Sequence, residues 1–529
     1  MCEGKPVVTD KDAYIKELEN TIEELKQRIE NLNEIVRVLE KGKFGSSSEK
    51  KNDRMAEGQI CMFNEAELEA DLNDAKADGT AETDERSVEK KKGTTRKGTK
   101  HFIYNDDLPV EVVECDVPED ERICDTCGTP LKAVSKQVVR EELVYRPAQL
   151  YRKQYVQTVY ECPACKHSDR PVFKKGTLPV SLLNHSKASA SLVAQVMTQK
   201  YDLALPLNRQ ERMWERSGVI LSRTTMANWI IRCHDEYLRP ITDRLKEALL
   251  SQDICHADET RMQVLKEPEK KPQSTSFLWA YRSGDACDKH VVIFDYQPTR
   301  AGENAKNFLG GYNGYVISDG YAGYNSLTNV IRCGCWAHLR RKFLEAVPPK
   351  KAEGRSQTAA EKGFDFCEQL FYIEKKLKDV SPQTRRSKRL ELERPILEAF
   401  WSWLATVKAL KGSKLEKAVT YARNQKTYLE NYLLDGRIPI SNNPCENAIR
   451  PFCVGRRNWL FADTQAGAKA SAGIYSIVET AKANNLDVYK YLEYLLTYMP
   501  AIGLRYEIEP ELLDNLMPWA DKIQKTCRS

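Results

Sequence analysis

The stretch Gln252–Leu265, QDICHADETRMQVL, decides the fold. Side chains of a strand alternate between faces, so ICHADETRM sets His256, Asp258 and Thr260 on one face and Cys255, Ala257 and Glu259 on the other. Strand-like runs follow in SFLWAYRS and KHVVIFDY, then a helix through GENAKNFLGG, then the strand YVISD. Asp319 closes that last strand and opens the turn DGYAGYN. A carboxylate at the C-terminal end of a strand is well placed to face a site. Much further on, Glu446 follows Asn442-Asn443-Pro444 in the first turn of a helix. Three carboxylates from a strand, a strand end and a helix can meet at one point and hold two divalent cations about 3.5–4 Å apart. Mg²⁺ favours such oxygen ligands. Each acid also has an ordinary role open to it. Asp319 before Gly320 suits a turn, Glu446 three after Asn443 suits a capping box, and Asp258 can pair with Arg261. Periodicity does not choose among 76 acidic residues.

Upstream of this core the chain changes character several times. Residues 10–45 carry a heptad repeat, with Ile15, Ile22, Ile29 and Val36 at a and Leu18, Leu25, Leu32 and Leu39 at d. β-branched residues at a with Leu at d favour a parallel two-stranded coiled coil, hence a homo-oligomer. Residues 46–100 form a charged linker, acidic from Glu65 to Glu89 and basic from Lys90 to Lys100, with few apolar residues to offset chain entropy. Residues 101–180 are strand-like, with a hairpin expected around Arg146-Pro147, and hold Cys124-x2-Cys127 and Cys162-x2-Cys165. Four thiolates in two such knuckles suit a closed tetrahedral Zn²⁺ site with a structural role. Residues 186–245 turn helical. Leu207 to Arg216, a break at Ser217-Gly218, and a helix capped by Ser222 fit a helix-turn-helix. Arg223, Thr224, Asn228 and Arg232 of the second helix are its candidate DNA contacts.

Composition bounds the rest. The chain has 529 residues, 41% hydrophobic and 30% charged, enough for several cores. No apolar run reaches the length of a membrane span. The first residues lack the apolar core of a secretory signal, which implies a cytoplasmic protein. Sixteen cysteines in such a chain read as thiols or metal ligands rather than disulfides. A net charge of +5 names no partner.

The zipper with FGSSSEK, the paired CxxC domain, HADET, SDGYAGYN, GCWAHLRRKF and the long block from Ser441 to Asp487 together resemble the transposases of the insertion-sequence 66 family, a bacterial group with DDE sites. The resemblance implies a multidomain α+β protein whose RNase H-like catalytic core, residues 251–475, carries a helical insertion at about 345–433 and is followed by a C-terminal helical region, 476–529. It implies that Asp258, Asp319 and Glu446 are the catalytic triad and ligands of two Mg²⁺ or Mn²⁺ ions. Cleavage at the terminal inverted repeats and joining to target DNA follow, with dependence on accessory proteins of the same element left open.

Cys335 and His338 resemble a CxxH feature of several DDE groups and are expected near the core. Arg340, Arg341 and Lys342 after them, and Arg450, Arg456 and Arg457 after Glu446, are candidate phosphate contacts. Trp459 can stack on an unpaired base or pack in the core. A DNA-binding regulator without chemistry would lack one of the three acids. A structure-specific nuclease would not need the zipper, the zinc domain and the C-terminal block.

Overall fold

The structure, a computed structural model, describes residues 186–348, 356–503 and 508–528, the short pieces 153–155, 159–161, 173–175 and 179–184, and residue 22. Of the zipper positions only Ile22 falls within them, in helical conformation. The linker, Arg146-Pro147 and the four cysteines Cys124, Cys127, Cys162 and Cys165 lie outside the described residues. Two units partition the chain, Asp78–Leu178 and the remainder. In the smaller unit, β1 (Val159–Glu161) and β2 (Phe173–Lys175) pair antiparallel with Glu161 opposite Phe173. In sequence they bracket Cys162 and Cys165.

The larger unit opens with α1 (Ala190–Tyr201), α2 (Leu207–Arg216) and α3 (Arg223–Cys233). The Ser222 hydroxyl accepts from the Thr225 N–H at 3.1 Å, satisfying one of the free donors at the start of α3. Gly218 takes a φ of +80° at the break between α2 and α3, a conformation other residues resist. A π-helical turn, His234–Leu238, leads into α4 (Arg239–Leu250).

β3 (Ile254–Lys266) is the centre of a mixed sheet. β4 (Thr275–Ser283) and β5 (Val292–Gln297) extend it antiparallel on one side. After α5 (Gly302–Phe308), β6 (Tyr315–Ser318) and β7 (Ile331–Gly334) extend it parallel on the other. The order β5-β4-β3-β6-β7 means that the chain builds one half outward from β3 and then crosses to build the other. The first seven residues of β3 are all buried, because helices cover both faces of this central strand.

A helical block follows: α6 (Trp336–Ala346), α7 (Ala359–Lys376), α8 (Pro382–Leu392), α9 (Arg394–Thr406) and α10 (Lys414–Glu430). It has its own apolar centre, in which Phe343, Phe400, Leu404, Ala418 and Leu429 are buried together. The Thr358 hydroxyl accepts from the Glu361 N–H while the Glu361 carboxylate accepts from the Thr358 N–H, a capping box that starts α7.

The chain then returns to the sheet as α11 (Asn443–Trp459), which lies across β3 and β4. A short β8 (Ala462–Thr464) runs parallel to the far end of β3, Val264 opposite Ala462. α12 (Gln465–Ala483) seals the edge of β5. The Ser476 hydroxyl accepts from the Phe294 N–H (2.7 Å) and the Thr480 hydroxyl from the Val292 N–H (3.0 Å), so the outer strand offers no open row of donors there. α13 (Val488–Ile502), α14 (Pro510–Asp514) and α15 (Asp521–Thr526) complete the C-terminal region.

Candidate active site

The sheet register brings the two aspartates level. His256 pairs with Ile317 in the parallel β3–β6 ladder, and two residues further along both chains stand Asp258 and Asp319. Adjacent strands lie about 4.8 Å apart, and partners in a parallel ladder face the same side. The Tyr321 N–H donates to Asp319 Oδ1 (2.9 Å), a short turn that holds this carboxylate at the strand end. Asp258 is buried, and its Oδ1 accepts from the Glu259 N–H (2.8 Å). Its Oδ2 has no hydrogen-bond partner among the described residues. Burial pushes the Asp258 carboxyl well above the usual carboxylate range, and the charges of Glu259, Asp319 and Glu446 push it the same way. Like charges buried together oppose one another, so a proton or a cation stabilises the cluster.

α11 supplies the third acid by running along the His256–Thr260 face of β3. His256 Nδ1 meets Asn442 Oδ1 at 2.9 Å, Glu446 acts on Asp258, and Thr260 Oγ1 lies 3.5 Å from Cys453 Sγ. Asn442 locks this alignment. Its Nδ2 donates to Ala257 O (3.0 Å) and its own N–H to Cys335 Sγ (3.1 Å). Asn442 is the residue that caps α11, Asn443 is already helical, and no side-chain cap bond forms there. The capping-box role open to Glu446 with Asn443 is therefore not used. Glu446 is instead buried between α11 and α6. His338 Nδ1 is 3.6 Å from its Oε1, and Arg341 Nη2 is 3.7 Å from its Oε2. Donor atoms of Cys335, His338 and Glu446 all lie within 4.8 Å of one another.

The opposite face of β3 shows how differently an adjacent acid can be treated. Glu259 accepts from Arg300 Nε (2.7 Å) and from the Tyr324 hydroxyl (2.7 Å). The Arg300 guanidinium lies 3.9 Å above the Tyr321 ring, next to the turn that holds Asp319. Burial still raises the Glu259 carboxyl, to about 7. Glu259, Arg300, Tyr321 and Tyr324 thus clamp the Asp319 turn to the Asp258 strand. Arg300 and Asn442 were not singled out from the sequence. An Asn that repeats in NNP before a helix is the signal available for Asn442, and Arg300 has none.

The remaining candidates divide by what they touch. Arg223, Thr224, Asn228 and Arg232 are all exposed on α3. Arg232 also pairs with Glu236 on the same helical surface (3.0 Å). Arg340 pairs with Glu368 and lies over the Phe364 and Phe371 rings, while Lys342 lies over Tyr421, so both serve the packing of the helical block. Arg456 donates to Thr260 Oγ1 (3.4 Å) and to the Arg261 carbonyl, tying α11 to β3. Trp459 packs edge-on against Phe452, with ring centroids 5.3 Å apart. Arg450 is half-buried and Arg457 exposed.

A mixed sheet in this order, with buried acids where β3 and β6 meet α11, lies within the domain of a DDE transposase. Residues 185–470 match the model of the transposase IS66 family, and 121–166 match the zinc-finger binding domain of transposase IS66. Residues 476–519 match the IS66 C-terminal element, and 31–113 the model described as transposase C of IS166 homeodomain. The chain belongs to the IS66 family of transposases. Two similar proteins of Sinorhizobium fredii are uncharacterized protein y4qI, 28% identical over 96% of this chain and 91% of its own, and uncharacterized protein y4hP, 26% identical over 74% and 73%. Among solved structures, the Drosophila P element transposase strand transfer complex aligns at a TM-score of 0.35 and 13% identity, over 58% of this chain and 94% of that one. No helix among the described residues is long and apolar enough to cross a membrane.

Proposed function

We propose that the chain binds the terminal inverted repeats of an insertion sequence, cuts the DNA strands there and joins the freed 3′-hydroxyls to target DNA. The register that sets Asp319 abreast of Asp258, with Glu446 acting on the same carboxylate from α11, carries this reading. Asp258, Asp319 and Glu446 would hold two divalent ions, Mg²⁺ or Mn²⁺. The unpartnered Asp258 Oδ2 and the mutual repulsion of the acids fit such a charge. Bound there, the ions supply the charge that activates a water or 3′-hydroxyl and stabilises the leaving oxygen.

The protein's own residues do the rest. Asn442 fixes the helix that carries Glu446, and the Arg300–Glu259–Tyr324 clamp fixes the turn that carries Asp319. Arg341 and His338 flank Glu446 and face the entering phosphate. α3 presents Arg223, Thr224, Asn228 and Arg232 to DNA. The zinc-finger match spans Cys124, Cys127, Cys162 and Cys165, which supports a structural Zn²⁺ held by these four thiolates. The zipper at 10–45 pairs protomers so that two ends are held at once, and the insertion spans about 345–433.

The test is Mg²⁺-dependent nicking of a labelled duplex that carries the inverted repeat of the element encoding the chain, beside a gel-shift measurement. Cleavage that is independent of divalent ions, or no cleavage of that end, overturns the reading.

A further inference from the structure

α11 ends in an unusual way. Leu460 has φ +63° and ψ −50°, and the Phe461 N–H donates back to the Trp459 carbonyl at 2.8 Å. These mark a γ-turn of the positive-φ kind, which is rare and strained, and a leucine is a poor occupant for it. The strain is not offset by burial. Leu460 is 62% exposed and Phe461 42% exposed, while the neighbouring Trp459 is turned inward against Phe452. Backbone strain that holds two large apolar side chains out in water points to a partner for them.

The surroundings say what kind of partner. Arg457 and Asn458 are exposed beside the turn, and the nearby Asp463 is paired with Lys266 at 2.7 Å. Asn458 Nδ2 donates to Ala204 O (3.1 Å), in the segment that joins α1 to α2. A Cβ built on Gly467, at the start of α12, would lie 3.9 Å from Ile231 of α3. The turn therefore borders the segment that leads into the helix-turn-helix. Its distance from the acids follows from two elements. Extending the β3–β8 register sets Phe461 abreast of Gln263, roughly five strand residues beyond Asp258, or about 16 Å. Along α11, Leu460 lies about 21 Å beyond Glu446. For a duplex that runs alongside β3 and α11, these lengths span about five to six base-pair steps of about 3.4 Å.

We propose that Leu460 and Phe461 form an apolar wedge that enters the DNA base stack about five to six base pairs from the scissile phosphate. Leu and Phe are residue types that unstack base steps in this way. The proposal rests on the reading of the chain as a DNA-cleaving transposase. It explains why a strained turn stands between the catalytic helix and β8, and it assigns the base contact to these two residues rather than to Trp459.

The experiment uses the full chain and inverted-repeat duplexes with 2-aminopurine at single positions three to nine base pairs from the cleavage site. Binding of the wild type is expected to raise emission several-fold near the fifth or sixth position. Leu460→Gly/Phe461→Ser should lose most of that rise and bind about tenfold more weakly, the scale of one lost stacking contact. Leu460→Gly alone relieves the backbone strain, so its melting temperature should equal or exceed the wild-type value while the emission falls. Phe461→Met, still apolar, should keep the signal. The proposal is overturned if the wild type binds and nicks the duplex without an emission change at any position, or if the double variant gives the wild-type rise. A double variant that changes sedimentation but not emission assigns the patch to a protein partner and also overturns it. Failure of the wild type to bind or nick the duplex is a different result, and it removes the transposase reading together with the wedge.

Discussion

In the helical block, the buried Glu393 and the half-buried Glu374 stand around Arg389, which is itself fully buried. Arg389 grips Glu374 with two bonds of 2.7 Å and donates to the Tyr432 carbonyl, and the Tyr432 hydroxyl donates to Glu393. In the sheet, Asp258 is buried to a similar degree beside Asp319 and Glu446, yet its Oδ2 has no hydrogen-bond partner among the described residues. The first cluster carries its own cation and serves structure. In the second, Arg341 lies beside Glu446, while the unpartnered oxygen of Asp258 is arranged to receive charge from outside. Burial of acids alone therefore says little, and the presence of an internal partner separates a brace from a site.

The largest expected effect follows from the second cluster. Asp258→Asn, Asp319→Asn and Glu446→Gln should each lower end cleavage by roughly 10³-fold or more, since losing about 4 kcal/mol of transition-state stabilisation costs that much in rate. Each should leave inverted-repeat binding within a few-fold, because phosphate contacts by α3 do not need the acids. Asp258→Asn should also melt higher than wild type without metal, as a repulsive charge is gone, and gain less from added Mg²⁺. A variant that cleaves normally removes its residue from the site. Melting lower than wild type would make the acid a brace like Glu374.

The brace should fail in the opposite sense. Arg389→Met leaves the buried Glu393 and the half-buried Glu374 without their cation, at a cost of about 3–5 kcal/mol. Urea denaturation followed by the fluorescence of Trp401 and Trp403 in α9 reads it. Little change would mean that the block tolerates its acids unaided. A smaller effect, about 1–3 kcal/mol, is expected for Asn442→Ala, which strands the buried His256 ring and Ala257 carbonyl. Nicking should fall further than this stability loss explains, because Glu446 rides on the helix that Asn442 aligns. Equal losses would reduce Asn442 to a packing residue.

The two clusters also differ in what the sequence disclosed of them. Alternation along HADET, the Ser222 cap and the break at Gly218 are local, and local spacing shows them. The choice of Asp258, Asp319 and Glu446 among so many acids needed family resemblance, since each sits in a context that also suits turns or caps. Asn442 reaches His256 across 186 positions and Arg300 reaches Glu259 across 41, and such pairings leave no periodic trace. Arg389 was less visible still. It lies in TRRSKRLELER, which reads as a solvated charged helix, and only the folded block shows that one arginine of that run is enclosed.

The effect with the least bearing on cleavage concerns how completely the brace is satisfied. Burial, followed by the charge of Glu374, pushes the Glu393 carboxyl up to about 8. A carboxyl raised on folding binds its proton more tightly in the native state. Its contribution to stability is full below the ordinary carboxylate range and is lost as pH rises toward 8, by at most about 1.4 kcal/mol per pH unit for one proton. Glu393→Gln keeps an acceptor for the Tyr432 hydroxyl and cannot ionise. Hydrogen exchange of the α8 and α9 amides in the full chain, from pH 5 to 8.5 and corrected for the intrinsic exchange rate, isolates this block from the sheet. Wild type should lose protection steadily over that range, and Glu393→Gln should lose little. Identical slopes in the two proteins would show that Arg389 already neutralises both acids, and the brace would then be complete at every pH where the enzyme works.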